Sequence, residues 1–150
     1  IGTFDGGREK APAALTRKII NAELKNQKPS IEIWGDGEQT RSFLYIDDCI
    51  EGTLRLFDSD YKEPLNIGSD EQVSINQMVN MLEEISNIKN LERIFLLDKP
   101  KGVRGRSSNN DKLKSVLQWN YQISLKEGLN NLYNWMKNVI KTNNDINKFI

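Results

Sequence analysis

Two hydrophobic periods alternate along this chain, and their alternation limits the fold more than any other feature. Leu15, Ile19 and Ala22 recur at helical spacing behind Pro12, a residue suited to a first helical turn, and predict a helix ending near Lys25. Ile31-Glu32-Ile33-Trp34 alternates as a strand does. Gly35-Asp36-Gly37 predicts a tight hairpin turn, followed by a second strand over Arg41 to Ile46. Asp47 or Asp48 is placed to cap a helix with a buried stripe of Ile50, Leu54 and Phe57, and Asp48 with Glu51 has capping-box spacing. Pro64 to Ile67 predicts a short strand. Ser74 with Gln77 is the better capping box, ahead of Ile75, Met78, Val79, Leu82 and Ile85 on one face. Arg93 to Leu97 is a further strand, and residues 99–110 form a loop. A short helix is expected from Asp111 to Leu117. A last one starts at Ser124, with Glu127 completing a capping box and Leu125, Leu129, Leu132 and Met136 turned inward. Residues 141–150 are a polar tail. The expected class is α/β, with about four short strands and five helices.

A complete doubly wound nucleotide domain is not expected. Its Gly-x-Gly-x-x-Gly fingerprint is missing; the nearest approach, Gly35-Asp36-Gly37-Glu38-Gln39-Thr40, ends in Thr and leads into a strand. The chain also opens on Ile1 rather than Met and runs straight into a glycine-rich charged loop, which leads us to expect an excised portion of something longer.

Composition excludes several chemistries. Lys plus Arg equals Asp plus Glu at 21 each, so there is no basic excess for gripping nucleic acid. With no histidine and one cysteine, a His-based triad, a disulfide framework and an ordinary zinc site are all excluded. No apolar run approaches ~18 residues and no signal-peptide pattern opens the chain, so neither a membrane span nor a leader is expected and a cytoplasmic location is the default. Cys49 has no activating neighbour and reads as a buried structural thiol; Trp34, Trp119 and Trp135 read as core.

Three loops place cations beside glycine on this neutral chain. In Gly6-Gly7-Arg8-Glu9-Lys10-Ala11-Pro12 the charges sit just before a helix N-terminus, where the dipole disfavours a Lys. In Gly37-Glu38-Gln39-Thr40-Arg41-Ser42 a guanidinium stands at the start of a strand, able to fork onto a phosphate. In Lys99-Pro100-Lys101-Gly102-Val103-Arg104-Gly105-Arg106 two arginines flank one glycine. Taken singly, the first loop reads better as a solvated segment with an incidental Lys, the second equally well as a hairpin edge with an exposed Arg, and the third also as a flexible basic loop. Arg41 and Arg106 are expected to converge on one site, and Gly6 to Lys10 to form an irregular loop that carries Lys10 to the edge of a cleft.

The blocks Trp34-Gly35-Asp36-Gly37-x-Gln39-x-Arg41-x-Phe43, Tyr45-Ile46-Asp47-Asp48 and Asn66-Ile67-Gly68-Ser69, in that order, resemble the C-terminal half of the extended short-chain dehydrogenase/reductases, a family of nucleotide-sugar epimerases and dehydratases. The resemblance runs over roughly residues 1–140. Within the family, Gly6 to Ala14, Gln39 to Phe43 and Gly102 to Arg106 resemble the members that epimerise GDP-mannose at C3 and C5.

This resemblance implies a reaction. Bound NAD takes a hydride from C4 of the mannosyl ring, the 4-ketone acidifies the hydrogens at C5 and C3, protons leave one face and return on the other, and the hydride comes back, giving GDP-L-galactose and the 5-epimer GDP-L-gulose. Lys10 matches the Lys of the family's Cys/Lys acid–base pair; burial and a nearby cation such as Arg8 would lower its proton affinity. Lys18, Gln39, Thr40 and Arg41 resemble substrate and diphosphate contacts, Arg106 a second phosphate clamp, and Glu9 a substrate-orienting residue. The fold implied is α/β, the substrate-binding part of such an enzyme without most of its Rossmann half. Residues 1–140 would form a nucleotide-sugar-binding region and 141–150 a tail. NAD would be held mainly by the N-terminal half, and the intact enzyme would be a homodimer acting on a nucleotide sugar, with no nucleic-acid or membrane partner. Two other readings stay open: the same part of another nucleotide-sugar 4-epimerase or dehydratase, and an inactive nucleotide-sugar-binding piece.

Overall fold

The computed structural model describes residues 9–25, 28–100 and 102–142. The expectations placed on Gly6, Gly7 and Arg8, on Lys101 and on the end of the tail therefore lie outside the described residues.

Among the described residues there are five helices and five strands: α1 (Ala11–Leu24), β1 (Ser30–Trp34), β2 (Thr40–Ser42), α2 (Ile46–Phe57), β3 (Gln72–Ser74), α3 (Ile75–Ser86), β4 (Glu92–Leu96), β5 (Gly105–Arg106), α4 (Asp111–Leu117) and α5 (Leu125–Thr142). The strands form two small sheets. β1 pairs with β4 in parallel, Ile31 opposite Arg93 and Ile33 opposite Phe95. β2 is central in the other, antiparallel to β3 and parallel to β5.

The parallel pair corrects the expectation that the chain lacks most of the Rossmann half. A parallel pair cannot be closed by a tight turn; it needs a crossover. Here α3 returns the chain to the start of β4, so a β-α-β connection of the kind found in dinucleotide-binding sheets lies within this chain.

Apolar spacing decides the packing. Leu15, Ile19, Ile20 and Ala22 of α1, Met78, Val79 and Leu82 of α3, and Leu129, Tyr133, Met136 and Ile140 of α5 form one core with Ile31 and Ile33 of β1. Glu32 and Trp34, on the other face of β1, are exposed, as the period of two requires. α3 starts with the expected capping box: the Ser74 hydroxyl accepts from the Gln77 N–H and the Gln77 side chain accepts from the Ser74 N–H. At α5 the Ser124 hydroxyl accepts from the Glu127 N–H.

Elsewhere the structure departs from the sequence reading. The Gly35–Gly37 turn is present, with both glycines at positive φ, but it joins strands of different sheets and is not a hairpin. Pro64 to Ile67 is irregular, while β3 and β5 form where no strand is predicted. α2 begins after Tyr45 without a side-chain cap. Asp48 is instead buried and accepts from the N–H groups of Gln122 and Ile123, tying α2 to the segment before α5. The apolar stripe of α2 is exposed, Phe57 at 85%, because α2 meets its neighbours through Gly52, against Trp119 and Ile67. Trp34 and Trp135 are about half exposed rather than core, and Cys49 is half-buried.

Candidate functional site

A cavity of about 350 Å³ opens at the C-terminal end of the parallel pair. Open α/β sheets present their ligand crevices at this end, where strands stop and loops diverge. Its walls are the first turns of α1, the end of β1 with Trp34, Gln39 beyond the glycine turn, Ile75 at the start of α3, and Pro100. The Gly35 N–H donates to the Leu96 carbonyl, fixing the turn to the end of β4.

Three of the expected site residues line this cavity: Glu9, Lys18 and Gln39. The Glu9 carboxylate is almost fully buried and accepts a 2.6 Å ion-paired hydrogen bond from Arg17, one turn along α1 from Ala13. Lys18 donates to the Glu32 carbonyl at 2.7 Å. Burial holds its ammonium below the ordinary lysine value, and the charge of Glu32 opposes that shift without cancelling it. Gln39 donates to the Trp34 carbonyl; its Oε1 is buried and accepts nothing among the described residues. Lys10 is the N-cap residue of α1, exposed and in extended conformation, between Glu9 and Ala11 of the cavity wall. It does not itself line the cavity.

Thr40, Arg41 and Arg106 make a second group, continuous with Gln39 through the chain. β2 and β5 are in register, Thr40 opposite Gly105 and Arg41 opposite Arg106, so the two arginines are neighbours across a strand pair. The Thr40 hydroxyl accepts from the Gln72 side chain at 2.8 Å. An ideal Cβ on Gly105 would lie 2.9 Å from that hydroxyl, so glycine is what lets β5 approach β2. Arg41 donates to the Thr40 carbonyl, and its guanidinium passes beside Gly102, which is at positive φ.

Residues the sequence reading missed are Trp34, Arg17 and Asn76. Trp34 had a signal: it lies out of phase with Ile31 and Ile33, which puts it on the opposite face of β1. Arg17 and Asn76 had none, because their partners come from other segments.

The turn leaving β1 does not fit a dinucleotide pyrophosphate. It leads into β2 rather than a helix N-terminus. The space a Cβ on Gly37 would fill is taken by the Asn76 side chain, 2.5 Å away, so that glycine makes room for a protein amide and not for a phosphate. No metal-ligating cluster occurs among the described residues, and no helix among them is long and apolar enough to cross a membrane.

The chain is 49% identical over 141 residues to GDP-mannose 3,5-epimerase of Arabidopsis thaliana, an alignment covering 94% of this chain and 36% of that relative. It superposes on UDP-glucose 4-epimerase of Thermotoga maritima, solved with UDP-glucose, with a TM-score of 0.78 and 27% identity, covering 89% of this chain and 41% of that one. With the UDP-glucuronic acid 4-epimerase of Bacillus cereus, solved with UDP-glucuronic acid and NAD, the TM-score is 0.75 and the identity 33%, covering 87% of this chain and 40% of that one. The chain thus spans about a third of the curated relative's length. The sequence profile of the GDP-mannose 4,6 dehydratase family matches residues 5–132. That match runs over nearly the whole chain and, with the parallel pair inside it, corrects two further expectations: that only a C-terminal half is represented, and that NAD binding rests on a Rossmann half missing from the chain. The chain belongs to the GDP-mannose 4,6 dehydratase family.

Proposed function

We propose that the whole protein is an NAD-dependent nucleotide-sugar epimerase that converts GDP-mannose to GDP-L-galactose and GDP-L-gulose through a 4-keto intermediate, and that this chain supplies its substrate-holding residues and one acid–base group. The observation that carries the reading is the 49% identity to a GDP-mannose 3,5-epimerase over 94% of the chain. NAD enters because the Bacillus cereus epimerase was solved with it. The glycine turn does not fit its pyrophosphate, and none of the roles below is directed at it.

Arg41 and Arg106 fork onto the diphosphate, two adjacent planar cations meeting two phosphates. Gln39 and Thr40 position the substrate beside them, and Lys18 contacts it from α1. Glu9, fixed by Arg17, orients the sugar. Lys10 exchanges protons with the ring carbons: its ammonium gives a proton to a carbanion next to the ketone, and the neutral amine takes one in the reverse direction. Residues 1–140 form the nucleotide-sugar-binding region and 141–150 a tail. A homodimer in the cytoplasm, without nucleic-acid partners, completes the reading.

The name of the matching family favours a second reading, a GDP-mannose 4,6-dehydratase. Product analysis separates the two. Incubation of the whole protein with GDP-mannose and NAD gives, on the first reading, products of unchanged mass with inverted C5, or inverted C3 and C5. A product lighter by one water, with a 4-keto-6-deoxy sugar, overturns it in favour of the dehydratase.

A further inference from the structure

We infer that Asn76 is a positioning residue for the nucleotide-sugar site: from the first turn of α3 it clamps the glycine turn that aims Gln39, Thr40 and Arg41. The inference rests on the reading that these three residues hold the substrate.

The start of a helix leaves N–H groups without intrahelical partners. At α3, the first two of these do not go to water. The Ile75 N–H donates to the Gln39 carbonyl at 3.3 Å and the Asn76 N–H to the Gly37 carbonyl at 3.0 Å. The Asn76 side chain adds two more bonds, its Nδ2 donating to the Asp36 carbonyl at 3.1 Å and to Glu38 Oε1 at 2.6 Å. Residues 36 to 39 are therefore each held from α3.

The fit is close on both sides. A Cβ on Gly37 would lie 2.5 Å from Asn76 Oδ1, and Gly37 has φ of 74°. Glycine at this position both permits the left-handed backbone and leaves room for the amide. Asn76 Oδ1 is buried and accepts no hydrogen bond among the described residues, so the side chain is held by its donor end alone. Ser74 and Gln77 already satisfy the helix cap between them. The Asn76 amide is thus not needed to start α3, and its two side-chain bonds serve the turn.

Holding matters because Gln39 lies directly between the turn and β2. A turn free to shift moves Gln39 out of the cavity wall and slides Thr40 and Arg41 against β5. Substrate must then order the turn on binding, which weakens affinity without altering the reacting groups.

Asn76→Asp is the informative variant. It keeps the side chain's shape and places a carboxylate in the first turn of a helix, which the dipole favours, so α3 is retained. It removes the donor and sets like charge against Glu38. In steady-state assays of the whole protein we expect KM for GDP-mannose to rise roughly tenfold with kcat within about twofold. Adding Glu38→Gln restores a donor–acceptor pair of reversed polarity and should recover part of the KM. A purely structural role would do the reverse, lowering kcat per total protein with KM unchanged, and that result overturns the inference. Arg41→Ala is run in parallel. If it raises KM and Asn76→Asp does not, the clamp is wrong and the substrate reading stands. If Arg41→Ala leaves KM unchanged, the substrate reading falls, and the inference falls with it.

Discussion

Arg41 and Arg106 come from distant parts of the chain and become neighbours only because Gly105 admits β5 against Thr40. A diphosphate rewards that pairing, since each charge-assisted hydrogen bond contributes about 1.5–3 kcal/mol. Arg41→Ala or Arg106→Ala should each raise the Kd for GDP-mannose at least roughly tenfold in a calorimetric titration. Arg41→Lys should not restore affinity, because a point charge lacks the planar fork. A lysine variant that binds as the wild type does would show that only net charge matters here. The glycine-containing turns that flank both Arg41 and Arg106 prompt the expectation that the two converge. Strand register, which brings them side by side, depends on long-range pairing and has no local signature in a two-residue strand.

At the scale of elements, α1 and α5 are joined by a polar clasp at the rim of the core. Tyr133 and Lys137 both donate to the Glu23 carboxylate at 2.5 Å, and Lys137 also donates to the Tyr133 hydroxyl. Burial alone would raise the carboxyl's proton affinity, but the hydrogen bonds from Lys137 and Tyr133 and the lysine charge outweigh it and hold Glu23 below its ordinary value. A depressed native value means stability that is complete above the unfolded-state value, about 4.3 for Glu, and lost as pH falls through the lower native one. Glu23→Gln should therefore cost about 1 kcal/mol in urea unfolding at neutral pH, and the gap should close in acid. A gap that is the same at both pH values would mean that shape, not charge, holds the helices. Helix existence was readable from period alone, and so was the α3 cap, because Ser74 and Gln77 lie three residues apart. Asp48 shows the limit of such reading. Its capping spacing with Glu51 is local, but the two N–H groups of Gln122 and Ile123 claim it from the far end of the chain. The α2 stripe teaches the same point: a period of 3.6 identifies an apolar face but not what covers it, and within this chain Gly52, not Leu54, faces the neighbours.

On the scale of the molecule, a parallel β-α-β unit carries a crevice at its strand ends, and a separate small sheet, which follows Gln39 of the crevice wall, sets Arg41 opposite Arg106. The family was legible because ordered motifs such as Trp34 to Phe43 resemble it, and the site residues are expectations carried by that resemblance. The parallel pair was not, since β1 and β4 carry the same period whether they pair with each other or with strands elsewhere. We propose that Lys10, the N-cap residue of α1, moves protons at the sugar ring. Solvent deuterium incorporation into GDP-mannose at C5 and C3 tests it most directly, with the whole protein as wild type and as Lys10→Ala, alongside a binding titration. Binding should stay close to wild type, with exchange slowed by about 10²–10⁴ at the carbons Lys10 serves. Wild-type exchange at both carbons in the variant would contradict it.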